Sequence, residues 1–150
     1  MTGDWDVEIR PRLTPYFAYA AAALIVAAHV TVGALLKVGS SGVIFQTADQ
    51  VAIALLGAVI AGVVLLFARP RLRVGPQGIA VRNLLTYRLI PWSEVVDVSF
   101  HRGARWARID LPDDEYVPAL AIQAVDKDRA VEAMDTVREL LGRYKAINSR

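Results

Sequence analysis

Two uncharged apolar stretches, separated by 14 residues, limit what this 150-residue chain can become more than any other feature. The first, "YFAYAAAALIVAAHVTVGALL", covers residues 16–36. At about 1.5 Å per residue its length crosses a hydrocarbon core of roughly 30 Å. The second, "VAIALLGAVIAGVVLLFA", covers residues 51–68 and reaches the interface through Gln50 and Arg69. Between them Gly39, Ser40, Ser41 and Gly42 make a turn in a loop too short to hold a domain, which predicts a transmembrane helical hairpin over 16–68. Composition agrees, because a hydrophobic share of 55% with only 21% charged residues is too apolar for a soluble domain of this size. The excess is local: within 16–68 the only formal charges are Lys37 and Asp49.

The first span is longer than a signal-peptide core, and "MTGDWDVEIRPR" before it mixes Asp4, Asp6 and Glu8 with Arg10 and Arg12, so it is expected to be retained. Arg10, Arg12, Arg69, Arg71 and Arg73 flank the hairpin, against Lys37 in its loop. That asymmetry predicts a plasma-membrane protein with both termini cytoplasmic, residues 1–15 forming a short cytoplasmic segment. Tyr16, Phe17 and Tyr19 suit an interfacial aromatic belt. His29 is the one ionisable side chain deep in a span, where such groups are candidates for proton relays or partner contacts. With no second ionisable group at its depth, a neutral imidazole hydrogen-bonded within the bundle is the nearer expectation. If the loop centres near residue 43, equal helical rise sets His29 level with Gly57, so the ring should lie against the second helix there. Gly57, Ala58, Ala61 and Gly62 would allow close packing.

After Pro70 the pattern changes to short alternating runs. "RLRV" meets "GPQG" at residues 75–78, a turn that closes a hairpin onto "IAVRNLL". "TYRLIPW" follows. Val96, Val98 and Phe100 then alternate with Asp97 and Ser99, and "WARIDL" sets Ala107, Ile109 and Leu111 on one face. After the turn "PDD", the run "EYVPALAI" is marked by Pro118 as an edge or strand end. From Asp126 the period becomes 3.6: Val131, Met134, Val137, Leu141 and Tyr144 share one face of an amphipathic helix, with Asp126 and Asp128 at its start and Arg143 and Lys145 at its end. About six short antiparallel strands and a terminal helix predict a small barrel or sandwich plugged by that helix.

The runs "RLRVGPQGIAVRNLL", "IPWSEVVDVSFHRGARWARIDLPDDE" and "PALAIQAVD" resemble the bacterial pleckstrin-homology-like domain of the low-molecular-weight protein antigen 6 type, which stands behind two membrane helices in small actinobacterial proteins. The resemblance implies a fold class of α+β, with a two-helix transmembrane hairpin (16–36 and 51–68) followed at 70–150 by a PH-like antiparallel β-barrel capped by a C-terminal helix. It also implies a non-enzymatic membrane protein, since the family has no established catalytic residue or ligand. Fold transfers more safely than function.

Lipid-binding members of the wider pleckstrin-homology class clamp phosphates with basic residues around the first hairpin. Here that loop is "GPQG", without positive charge, and Arg73 and Arg82 flank it at a distance. Attraction to an anionic leaflet is easier, at about 1 kcal/mol per basic residue. Arg69, Arg71 and Arg73 are therefore candidate lipid contacts, although fixing topology alone would explain them. Alternation puts Trp106 and Arg108 on the face opposite Ala107, and with Arg102 and Arg105 nearby they have the composition of a partner-binding patch. Because small barrels bury both faces near their ends, a covered Trp106 is the nearer expectation, and Trp92 is expected in the core or a corner.

Net charge of +2 and the absence of an aromatic-basic ladder argue against nucleic acid. Without cysteine there is no disulfide and no thiolate chemistry. His29 and His101 lie in unlike surroundings, the serines lack a nucleophile-elbow context, and Asp113, Asp114 and Glu115 read as a solvated turn. No catalytic residue, metal or cofactor is expected. The leading expectation is a membrane-anchored module for a protein partner or a second copy of itself. The alternative is an anionic-lipid sensing or lipid-handling accessory.

Overall fold

The computed structural model describes residues 4–36, 38, 42 and 44–148. Lys37, Gly39, Ser40 and Ser41 of the expected loop lie outside the described residues. The chain forms two compact units. One comprises residues 14–68, and the other joins the segment up to Leu13 with the chain from Arg69 onward.

The first unit is a pair of helices, α1 (Leu13–Leu35) and α2 (Thr47–Leu65), the second prolonged by a 3-10 turn at Leu66–Ala68. Both are long and apolar enough to cross a membrane, at 23 and 22 residues. They start three or four residues earlier than the apolar runs suggest. Pro15 sits in the first turn of α1, where its missing N–H costs nothing. Asp49 lies in the first turn of α2, where its carboxylate accepts the Gln46 N–H at 2.8 Å. Asp49 thus starts the helix; it is not a loop charge. Ala18, Ala22 and Gly33 of α1 and Gly57 and Ala61 of α2 are buried, so close approach of the backbones holds the pair. Ala58 is exposed, and Gly62 has open space where a side chain would go.

The second unit contains a four-stranded antiparallel sheet ordered β1-β2-β3-β4 and a three-stranded one ordered β5-β6-β7. The strands are β1 (Val7–Ile9), β2 (Arg71–Gly75), β3 (Gly78–Arg82), β4 (Tyr87–Ile90), β5 (Asp97–Ser99), β6 (Trp106–Asp110) and β7 (Tyr116–Gln123), followed by α3 (Asp128–Asn148). β1 belongs to a segment expected to stand apart from the domain. It pairs with β2 in the register Val7↔Val74, Glu8↔Arg73 and Ile9↔Leu72. The Asp6 N–H adds a further bond to the Val74 carbonyl at 2.9 Å. The domain is therefore built from both sides of the helical pair.

The expected closed barrel is corrected to two packed sheets. No ladder joins β4 to β5 or β7 to β1 among the described residues. At the first seam Pro91 has no N–H to give, and the chain turns instead, with the Glu94 N–H on the Pro91 carbonyl at 3.0 Å. Elsewhere a side chain bridges the sheets: Asn83 donates through Nδ2 to the Pro118 carbonyl at 2.8 Å and accepts the Leu120 N–H at 3.2 Å. At the start of β3, Gly78 takes φ +133° and leaves no room for a Cβ, which would lie 2.1 Å from the Ile90 carbonyl oxygen.

Leu72, Val74, Ile79 and Ile90 of the first sheet, Val98, Ile109 and Ala119 of the second, and Met134, Val137 and Leu141 of α3 form one core. Each fully buried branched side chain contributes about 1.5–3 kcal/mol of transfer free energy. Two expected faces shift in phase. In α3 Ala130 is buried and Val131 exposed. Before β5, Val95 is buried while Val96 is half-exposed. Trp92 is in the core as expected, its Nε1–H on the Gly75 carbonyl at 2.9 Å and its ring stacked on Tyr144 at 5.0 Å. Tyr144 in turn donates to the Asp6 carboxylate, tying α3 to the segment before β1. That bond, then burial, then the Asp6 charge push the Tyr144 phenol above its ordinary pKa.

Candidate interaction surface

Strand alternation in the first sheet turns Leu72 and Val74 inward and Arg71 and Arg73 outward. The hairpin register then sets Arg82 directly opposite Arg71 and Ala80 opposite Arg73. On the far side Tyr87 stands opposite Arg82 and Leu89 opposite Ala80. Two outward rows result: Glu8, Arg73, Ala80 and Leu89 in one, and Arg71, Arg82 and Tyr87 in the other. Ala80 is only 2% exposed because longer side chains rise around it. A groove of about 370 Å³ opens there, with Arg69, Arg71, Arg73 and Arg82 on its walls and the 83–86 connection at one end.

Charge in this groove is unbalanced. Glu8 takes the Arg73 guanidinium at 2.6 Å and also pairs with Arg10, whereas Arg71 reaches it only at 4.0 Å. Among the described residues, no carboxylate lies within ion-pair distance of Arg69 or Arg82. Burial alone would raise the Glu8 carboxyl, but hydrogen bonds from Arg73 and Arg10 outweigh it and hold the group below its ordinary pKa. One carboxylate thus serves several guanidiniums. Like charges directly opposite on neighbouring strands, as Arg71 and Arg82 are, destabilise a sheet unless an anion comes between them.

The candidates of the second sheet do not all behave alike. Arg102 and Arg105 are exposed in the turn before β6, and Trp106 is 43% exposed, so the expected cover over Trp106 is absent. Arg108 is held within the sheet. It pairs with Asp110 at 2.7 Å, lies 5.0 Å from the Tyr116 ring centre and donates to Ser99 Oγ at 3.3 Å. In the helical unit His29 meets Gly57, as the level argument requires: a Cβ on Gly57 would lie 2.5 Å from His29 Cβ. The Nδ1–H of His29 is satisfied by the Ile25 carbonyl one turn earlier, at 2.8 Å. Among the described residues no three His, Asp or Glu side chains converge as metal ligands would.

Sequence reasoning passed over Leu85 and Tyr87 and set Arg82 aside as a distant flank of the first hairpin loop, although the signal was present. A turn that pairs Gly75 with Gly78 fixes, by counting outward, that Arg71 faces Arg82.

The fold and this surface define a class: a small α+β protein whose two-sheet domain is interrupted after its first strand by a pair of long apolar helices. Residues 69–140 match the family described as Bacterial PH domain. The chain is 72% identical to the uncharacterized protein Rv1417 of Mycobacterium tuberculosis over 142 residues, covering 95% of this chain and 92% of that one. The same figures hold for the uncharacterized protein Mb1452 of Mycobacterium bovis. The chain belongs to one family with these uncharacterized relatives, and its residues 69–140 carry the match to the bacterial PH domain. No solved structure matches the chain.

Proposed function

We propose that this is a non-enzymatic integral membrane protein that presents its PH-like domain as a binding module at the cytoplasmic face of the plasma membrane, in the layout of the low-molecular-weight protein antigen 6 type. One observation carries the reading. β1 before the helical pair and β2 after it are hydrogen-bonded neighbours, so both ends of the hairpin return to one folded domain. A chain connected this way has an even number of crossings and its domain on one side. Exposed Leu24, Val30, Leu55 and Val59 give the helices the lipid-facing surface that spanning requires. The arginines flanking the hairpin favour the cytoplasm for that side. Trp106 beside Arg102 and Arg105 supports a protein partner or a second copy as occupant of the second sheet. The unbalanced arginines of the first sheet favour, as a second reading, contact with anionic lipid.

Cysteine labelling tests the topology, since the chain has none of its own. Ile44, 90% exposed between the helices, and Gln77, exposed in the β2–β3 turn, are replaced one at a time. In intact cells an impermeant maleimide should react at position 44 alone. Reaction at 77 from outside would overturn the arrangement.

A further inference from the structure

The connection between β3 and β4, residues 83–86, is held in place and yet presents a hydrophobic tip. Its ends are joined by the Asn83 N–H on the Thr86 carbonyl at 2.9 Å, and the Asn83 side chain is anchored to Pro118 and Leu120. From this fixed base Leu85 projects 82% exposed, with Tyr87 next to it at 64%. Both border the groove of Arg69, Arg71 and Arg82. Apolar tips beside cations that have at most one distant carboxylate, Glu8 at 4.0 Å from Arg71, form an amphipathic surface, unlike a solvated loop.

Position along the chain says what such a surface meets. Arg71 follows Ala68, the last residue of the second apolar helix, by three residues, and three residues span at most about 10 Å. Arg82 is the direct cross-strand partner of Arg71, about 5 Å further. If α2 crosses a bilayer, the Arg71 backbone lies within about 10 Å of its end and the Arg82 backbone within about 15 Å, one to two screening lengths, a gap their long side chains can shorten toward the headgroups. The tether also makes docking intramolecular, so weak contacts suffice.

We propose that this end of the domain is a bilayer-docking surface. The phosphate of an anionic phospholipid sits between Arg71 and Arg82, relieving their cross-strand repulsion, while Leu85 and Tyr87 enter the boundary between headgroups and acyl chains. The inference rests on the membrane reading above and adds to it the occupant and the residues.

The test uses the full chain in lipid nanodiscs, with Leu85→Cys carrying an environment-sensitive fluorophore and Gln77→Cys as comparison. Gln77 lies at the other end of the β2–β3 hairpin, about 13 Å away along the strands. In discs of phosphatidylcholine with phosphatidylglycerol, the probe at 85 should shift to the blue and resist an aqueous quencher. In phosphatidylcholine alone it should not, and the probe at 77 should stay in water in both. This comparison of lipids needs no arginine substitution, so misfolding does not confuse it. Arg71→Gln with Arg82→Gln should then lower the docked-to-undocked ratio by roughly 25-fold, about five-fold for each lost cation. A probe at 85 that stays in water in anionic discs, with the helices inserted, overturns the docking and leaves the topology standing. A probe shielded equally in both lipids overturns it in favour of a protein contact. Failure of the chain to insert at all overturns both.

Discussion

Replacing Gly57 by alanine adds one methyl group at the closest point between the two apolar helices. That methyl would sit 2.5 Å from His29 Cβ and 2.6 Å from Cγ, against an ordinary carbon contact of about 3.5–4 Å. Neither neighbour can yield easily, because Cβ is fixed to the α1 backbone and the ring is tied by Nδ1 to the Ile25 carbonyl. The helices must therefore part by about 1 Å, and overpacking of this kind costs about 1–3 kcal/mol. Gly62→Ala is the internal control, since nothing lies within 4 Å of its would-be methyl. His29→Gly, which removes Cβ together with the ring, is the second arm of a double-mutant cycle: with both gone, Gly57→Ala should cost close to nothing. Reversible unfolding of the full chain in mixed micelles, titrated with sodium dodecyl sulfate and followed by circular dichroism, reads all four variants. Coupling of about 1 kcal/mol or more between positions 29 and 57 is expected. Equal destabilisation by Gly57→Ala with and without His29 would refute the packing argument.

Asn83→Ala leaves the Pro118 carbonyl and Leu120 N–H without their partner and should cost about 1–3 kcal/mol in thermal unfolding; an unchanged melt would mean the bridge between the sheets is dispensable. Val137→Ala, at a site with no exposure, should cost about 1–3 kcal/mol, whereas Val131→Ala at 61% exposure should stay within about 0.5 kcal/mol; the reverse order would restore the face read from the sequence. Because the folded state holds the Glu8 carboxyl below its ordinary value of 4.5, its contribution is present above that pH and is lost as pH falls through the lowered value. Glu8→Gln should accordingly flatten the acid limb of a stability profile, and an unaltered limb would remove Glu8 from the account. Tyr144 has the opposite sign: its contribution holds below 10.0 and is lost as pH rises through the raised value, so Tyr144→Phe should flatten the alkaline limb.

The helical pair was legible because uncharged runs of that length have few other uses, and the strands because turn residues punctuate them. Val7, Glu8 and Ile9 offered no such punctuation. Three alternating residues among charges read as a tail, and the partner strand begins 62 positions after Ile9, at Arg71. A closed barrel and two separate sheets share the same local alternation, so the missing ladders could not be read from it. What decides between them is where prolines remove donors and where Asn83 bridges instead. The phase errors at Val96 and Val131 have one origin. Each has an apolar neighbour, Val95 or Ala130, and hydropathy alone cannot say which of two adjacent apolar residues turns inward. For the surface, Arg71 and Arg73 were legible as single charges; their alignment with Arg82 depends on register, and its chemical meaning on the scarcity of acids nearby.

The placement of β1 also bears on how the domain is completed. β2 would be an edge strand without it, presenting unpaired N–H and C=O groups to solvent or to another chain. β1 covers that edge, brings Glu8 to Arg73 and, through Asp6, secures Tyr144 against Trp92. All three contacts come from residues made before the apolar helices, while every partner is made after them. A fragment beginning at residue 70 therefore lacks one strand, one ion-pair cluster and one anchor of α3, and its stability understates that of the whole. Joining Ile9 to Leu72 closes a loop of about sixty residues, an entropic cost that grows only with the logarithm of its length. If the intervening residues first form a closed helical pair, as Gly57 against His29 suggests, the ends of the loop are already brought near one another and most of that cost is met before the strand docks. Hairpin packing and domain stability should then be coupled: loosening the helices at Gly57 should weaken protection of the Ile9 and Val74 amides from hydrogen exchange.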